Sequence, residues 1–345
     1  MSFDFEHYFP KRVNDSPWLT AHTLEHLLQV SADQELILPI CSLGTCFEEL
    51  AELGSLVLPP LYHEALDDGL KQQILQRIAV CFPVHEFSAS RLGAHPRLRI
   101  VEMSPRPAPA VSAPRILAFS VDTAVEEHGP HLPLATDTIQ SYAVLQRLAE
   151  TTDDLLIGPP VEYGQLTWGL PFGFSVDLTA DILRDYVRNF TNALIEWLNP
   201  TGLYVVDVHG SLVHRTAIAA GLQASHAERF QFRWLHEPLI SFAAERGDQH
   251  AGGVETALIE LINPQLIDPG HWPNGIDALA EKQMPFNTAV ELTPDLAAFT
   301  RYVEQHALNG IVGDICNYRE LDADELMSKM LEVARADLQQ LKANN

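Results

Sequence analysis

The chain has 345 residues, 46% of them hydrophobic, and a formal net charge of −24 at pH 7. That length suggests roughly two domains of about 150 residues each, with enough apolar content for a sizeable core. So acidic a chain is ill suited to nucleic acid or anionic membranes, both of which are polyanions. No run approaches the roughly 20 apolar residues of a membrane span. The start, Met1-Ser2-Phe3-Asp4-Phe5-Glu6, lacks the basic residues and apolar stretch of a signal peptide. Cys41, Cys46, Cys81 and Cys316 include no C-x-x-C pair. A cytoplasmic, reducing compartment is the expectation.

Residues 1–105 read as a separate α+β unit. Apolar spacing predicts a helix over Thr20–Val30 and another over Leu70–Val80, where Leu70, Ile74 and Ile78 recur every four residues. Strands are expected at Glu35–Ile40, Leu56–Leu58 and Leu98–Val101. A proline-rich linker over residues 106–114 can form neither helix nor inner strand, and the boundary is placed there.

From residue 115 onward, strands and helices alternate. Strands are predicted at Ile116–Val121, Leu155–Gly158, Leu203–Val208, Phe230–Leu235 and, briefly, Ile311–Val312. Helices are predicted at Thr138–Glu150, Leu212–Leu222, Leu239–Glu245, Val254–Ile262 and Asp322–Leu341. A further long helix begins after Thr179 as cap and buries Ile182, Leu183, Tyr186, Val187, Phe190, Leu194 and Trp197. The alternation predicts an α/β fold: a mostly parallel sheet flanked by helices on both faces, with the N-terminal α+β unit in addition.

Polar clusters fall at the ends of these elements. Glu126-Glu127-His128-Gly129-Pro130-His131-Leu132-Pro133-Leu134-Ala135-Thr136-Asp137 follows the first strand of the second unit. The C-terminal ends of strands are where open α/β sheets bind ligands. Carboxylate and imidazole in that density suit Zn, Mn or Fe(II), against a loop of merely solvated acids. Asp207-Val208-His209-Gly210-Ser211 ends the central strand, where His209 is a ligand candidate, a helix cap or a core residue. His250-Ala251-Gly252-Gly253-Val254-Glu255-Thr256 opens a helix, so Glu255 is a ligand candidate or a first-turn acid. Asp314 reads as a turn residue with no ligand role.

These clusters together resemble the creatininase (creatinine amidohydrolase) family. Glu126–Asp137 follows its G-S-x-E-Q-H-G-P-H-L-P-L-x-T-D motif, and His250–Thr256 follows H-A-G-x-x-E-T. Asp207–Leu212 follows N-G-H-G-G-N only in part. Gly310–Asp314 resembles the family's G-V-x-G-D, so the likeness runs from about residue 115 to 341, with residues 1–105 outside it. The resemblance implies two divalent ions (Zn, Mn or Fe) about 3.5 Å apart, bridged by a carboxylate and a water. Position by position, Glu126, Asp137 and His209 would hold one ion, and His128, Asp137 and Glu255 the other. His250 is then the candidate proton shuttle, or a positioning hydrogen bond only. A small-molecule substrate and a ring-like homo-oligomer are further implications.

The departures concern the substrate. Thr123-Ala124 replace Gly-Ser, Glu127 replaces Gln, and Asp207-Val208 replace Asn-Gly. Ser211 stands where creatinine-hydrolysing members carry a metal-binding Glu. Phe172-Gly173-Phe174 replaces the family's P-G-T turn, so Trp168 and Phe174 are candidates to line a rebuilt pocket. The expected activity is hydrolysis of a small cyclic amide or related C–N bond by a metal-bridging hydroxide. Alternatives are opening of another small cyclic carbonyl compound, or a non-catalytic metal-retaining binding or regulatory protein.

Overall fold

The computed structural model describes residues 5–9, 16–27, 35–54, 56–81, 97–107, 115–267, 275–316 and 318–343. The second unit is built on four parallel strands: β5 (Ile116–Ser120), β6 (Leu155–Ile157), β7 (Gly202–Asp207) and β8 (Phe230–Trp234), side by side in the order β6-β5-β7-β8. β5 and β7 are buried at every position, Asp207 included. That burial explains their continuous apolar sequence, since such strands have helices over both faces. Helix Thr136–Ala149 (α2) links β5 to β6, whereas Ala180–Leu198 (α3) and Leu212–Gln223 (α4) carry the chain the other way to β7 and β8. Right-handed crossovers in opposite directions put α2 and the α3–α4 pair on opposite faces. The order reverses between β5 and β7. A crevice therefore opens at their C-terminal ends, the binding position of this architecture.

On the α2 face, α2 packs with Gly253–Ile262 (α5) and the closing helix Ala323–Ala343 (α8). On the other face α3 lies along α4, and Phe190 sets its ring 5.6 Å from Phe119 of β5. Thr179 occupies the cap position of α3, but its side chain makes no capping bond.

The N-terminal unit carries a second parallel sheet. Strand β1 (Glu35–Cys41) pairs with β4 (Arg97–Glu102), and also with β2 (Leu56–Val57) and β3 (Leu61–Tyr62). Helix α1 (Asp68–Cys81) buries Leu70, Ile74 and Ile78, as the four-residue spacing requires, and packs on α3. Apolar side chains from both units merge in one core. Polar bonds cross the seam as well: Tyr163 donates to Pro59 O at 2.7 Å, Tyr8 to the Glu162 carboxylate at 2.7 Å, and Arg77 Nε to Asp177 O at 2.7 Å.

The stretches Thr20–Val30, Ile311–Val312 and 286–306 differ from the sequence expectation. The helix expected over Thr20–Val30 is a 3₁₀ turn, Leu19–Ala21, broken at His22–Thr23 before a short helix Leu24–Leu27; residues 28–30 lie outside the described set. The break has a cause: Leu134 N donates to His22 O at 3.0 Å, Ala135 N to Thr20 O at 3.0 Å, and Thr23 bridges to Pro133. Ile311–Val312 is not a strand but single bridges from Val312 to His250 and Met284. Gly310 (φ +90°) and Gly313 (φ +136°) turn the backbone away on either side. Helices Phe286–Leu292 (α6) and Leu296–His306 (α7) were not read from sequence. They form a second, smaller apolar cluster that includes Phe172, Met284, Phe299 and Val303. Of the predicted linker, residues 108–114 lie outside the described set.

Candidate metal centre

The crevice between β5 and β7 collects all the metal-ligand candidates. Beyond β5 the chain stays buried through residues 121–129. Gly129, at φ +69°, allows the turn that brings His131 back beneath it. Asp137 follows in the first turn of α2. His209 comes from the turn after β7, where Gly210 has φ +73°. His250 and Glu255 flank the start of α5.

Two groups of ligand atoms result, each mutually within 4.8 Å: Glu126, Asp137 and His209 in one, His128, His250 and Glu255 in the other. Asp137 faces both. Its Oδ2 lies 3.5 Å from His209 Nδ1, while its Oδ1 lies 3.4 Å from His128 Nε2. The first group is closed by the 3.1 Å approach of His209 Nδ1 to Glu126 Oε2. Thr123 Oγ1 reaches the same two carboxylates, donating to Glu126 Oε2 or, at 3.0 Å, to Asp137 Oδ2.

The three histidines share one arrangement. His128 Nδ1 donates to Glu126 O at 3.2 Å, His209 Nε2 to Gln165 O at 3.2 Å, and His250 Nε2 to Glu127 O at 2.8 Å. A carbonyl oxygen only accepts, so each bond fixes the proton on one nitrogen and leaves the other as a lone-pair donor. Metal-ligating histidines are held in this way. The 3.4 Å from His128 Nε2 to Asp137 is too long for a good hydrogen bond, though not for two ligands sharing an ion. The donor set of three buried carboxylates and neutral imidazoles thus fits divalent cations.

Electrostatics point the same way. Burial alone raises Asp137 and Glu126, but His128 and His209 outweigh it for Asp137, and His209 for Glu126, so both are lowered. Burial opposes charge on His128 and His209, yet the surrounding carboxylates raise both, His128 to about 10. Protons there neutralise what a cation would neutralise. Glu255, where burial prevails over His128, is raised to about 8 despite accepting from Ala251 N at 2.6 Å. A cation beside this candidate ligand would favour its charged form.

Around this centre, buried groups set positions. The backbone of Gln165 joins two histidines: its N donates to His214 Nδ1 at 3.0 Å, and its O accepts from His209. Val208 N donates to Asp122 Oδ1 at 2.7 Å, tying the β5 and β7 loops together. His131 stands outside both ligand groups; its Nε2 donates to Thr256 Oγ1 at 2.8 Å, linking the first and third motifs. Asp314 accepts from Cys316 N at 2.9 Å, as a turn residue does.

A cavity of about 280 Å³ opens above Glu126, His209 and His250. Trp168 lines it, with Phe172, Phe299 and Trp234. Phe174 does not; with φ +48° it is buried in the main core. Phe299 stacks edge-on to Trp168 at 5.1 Å and to Phe172 at 5.8 Å. Thr123, Gln165, Phe299 and Trp234 were not assigned from sequence. Only Thr123 carried a signal, as a departure from the motif.

The sequence model of the Creatininase family, creatinine amidohydrolase, matches residues 117–336. The match covers more than half of the chain, which therefore belongs to the creatininase family of amidohydrolases. A mycofactocin precursor peptide peptidase of Mycobacterium ulcerans (strain Agy99) is 29% identical over 150 residues, 41% of this chain and 56% of that protein. The chain thus spans little more than half the length of that relative. Its counterpart in Mycolicibacterium smegmatis is 26% identical over 213 residues, 60% of this chain and 77% of that one. A solved structure described as "Creatininase Mn" superposes with TM-score 0.48 and 18% identity over 66% of this chain and 91% of its own.

Proposed function

We propose that this chain hydrolyses an amide C–N bond at a dinuclear metal centre. The observation that carries the reading is the placement of Asp137 between two ligand groups whose histidines each present a bare ring nitrogen. Glu126, Asp137 and His209 would hold one ion, and His128, Asp137 and Glu255 the other. When bound, two divalent ions supply Lewis acidity and lower the pKa of water towards neutrality. Thr123 donates its hydroxyl proton to the Glu126 or the Asp137 carboxylate and so orients the pair. The bond from His250 Nε2 to Glu127 O leaves Nδ1 to carry a proton to the leaving nitrogen. Zn, Mn or Fe(II) suits the mixed oxygen and nitrogen donors.

Among amides, a peptide bond with apolar neighbours is favoured over the small cyclic amide that the family resemblance implies. Support comes from the aromatic walls of the cavity and from relatives named as precursor peptide peptidases. A cytoplasmic homo-oligomer completes the proposal, supported by cysteine spacing and family resemblance. The test is metal analysis followed by a substrate series. About two ions per chain and turnover of peptides above cyclic amides and cyclic ketones are expected. Failure to bind metal after reconstitution would overturn the reading.

A further inference from the structure

Behind the aromatic cavity lies a second, mostly apolar groove of about 200 Å³, between Trp234 of β8, the short helix Ile240–Arg246 and Phe286, with His236 and Asp248 also on its wall. Trp234 and Gln249 line both spaces, so they form the partition. Trp234 is held from three sides. Its Nε1 donates to Val208 O at 3.0 Å, the Arg215 guanidinium lies 4.2 Å over its ring, and a Cβ on Gly210 would overlap it. Glu126, His209 and His250 line the aromatic cavity and Glu255 lines the groove, while His128 and Asp137 lie between them and line neither.

We infer that the groove is a second substrate subsite, taking an apolar side chain on the acyl side of the scissile peptide bond. The inference rests on the amidohydrolase reading above. A bond lying over ligands that straddle a partition sends its two substituents to opposite sides. The aromatic cavity holds His250, the proton carrier towards the leaving nitrogen, so the amine part belongs there. The acyl part then enters the groove, whose Leu239, Ile240, Ala243 and Phe286 suit an aliphatic side chain. A small cyclic amide has no substituent for this space.

Ala244 stands exposed on the groove wall, so Ala244→Trp fills it without disturbing the core. Binding of N-acetylleucylphenylalanine and N-formylphenylalanine is measured by calorimetry on the metal-loaded full chain and this variant, beside turnover of both. The formyl compound carries no acyl side chain. The leucyl compound should lose at least about tenfold in affinity in the variant, with the formyl compound unchanged. Equal effects on both compounds, or no effect on either, would overturn the subsite. Selective loss of binding without turnover in the unmodified chain would keep the subsite and remove the hydrolase reading.

Discussion

Thr123 Oγ1 lies 3.0 Å from Asp137 Oδ2 and also reaches Glu126 Oε2, so its single proton is shared between two carboxylates of the proposed centre. The hydroxyl is fully buried and surrounded by candidate ligands. Thr123→Ala should therefore weaken metal binding about 10–100-fold, the usual cost of losing a group that orients ligands. Metal titration by calorimetry checks this. An unchanged affinity would mean that the carboxylates are held without the threonine.

Asp137 faces both ligand groups, so its removal should act on both ions at once. Asp137→Ala is expected to bring metal content from about two ions per chain to near none, with activity falling to background. Chelation of the unmodified chain should do the same and be reversed by Zn or Mn. A variant retaining two ions and full turnover would refute the shared role.

His250 sits 4.4 Å, ring to ring, from His128 and forms part of the second ligand group. If its task is proton transfer, His250→Ala keeps both ions and loses about 10²–10⁴-fold in kcat. Metal analysis and single-turnover rates on the same preparation separate the roles. Loss of one ion would make His250 a ligand instead.

Glu162 is buried where the N-terminal segment meets the second unit, and burial, with the nearby Asp122 carboxylate, raises it from 4.5 to about 8. A carboxyl raised on folding stabilises the chain below its unfolded value. That contribution disappears as pH rises towards about 8. Glu162→Gln keeps an acceptor for Tyr8 and has no charge to bury. It should flatten the fall in Tm between about pH 5 and 8 and melt several degrees higher at pH 8. Parallel pH profiles for the two proteins would remove Glu162 as the cause.

What the sequence revealed follows from how local each signal was. β5, β7 and α3 were legible because complete burial demands unbroken or regularly spaced apolar residues. Glu126, His128, Asp137, His209 and Glu255 stood out because few other roles call for acids and imidazoles at strand ends. The break at His22–Thr23 was hidden, since its cause is pairing with residues 133–135, distant in sequence. The α6–α7 pair escaped notice because its buried positions are few and serve a small separate cluster. Phe299 became a cavity residue only through tertiary packing, whereas Phe174, two residues from a true lining residue, turned into the core. Trp234 carried no local mark, because its partition role comes from contacts with Gly210, Val208 and Arg215.

The backbone pairing of Thr20 and His22 with Ala135 and Leu134 bears on the proposed centre. Asp137 lies two residues beyond a segment whose amides are satisfied from outside the family-matched region. Buried amides left without acceptors are costly. A chain trimmed to the matched residues would therefore carry Asp137, the proposed bridge, on a loosened loop. The motif and the N-terminal segment then depend on one another, and substitutions that displace the backbone at residues 20–22 should surface as weakened metal binding at the proposed centre.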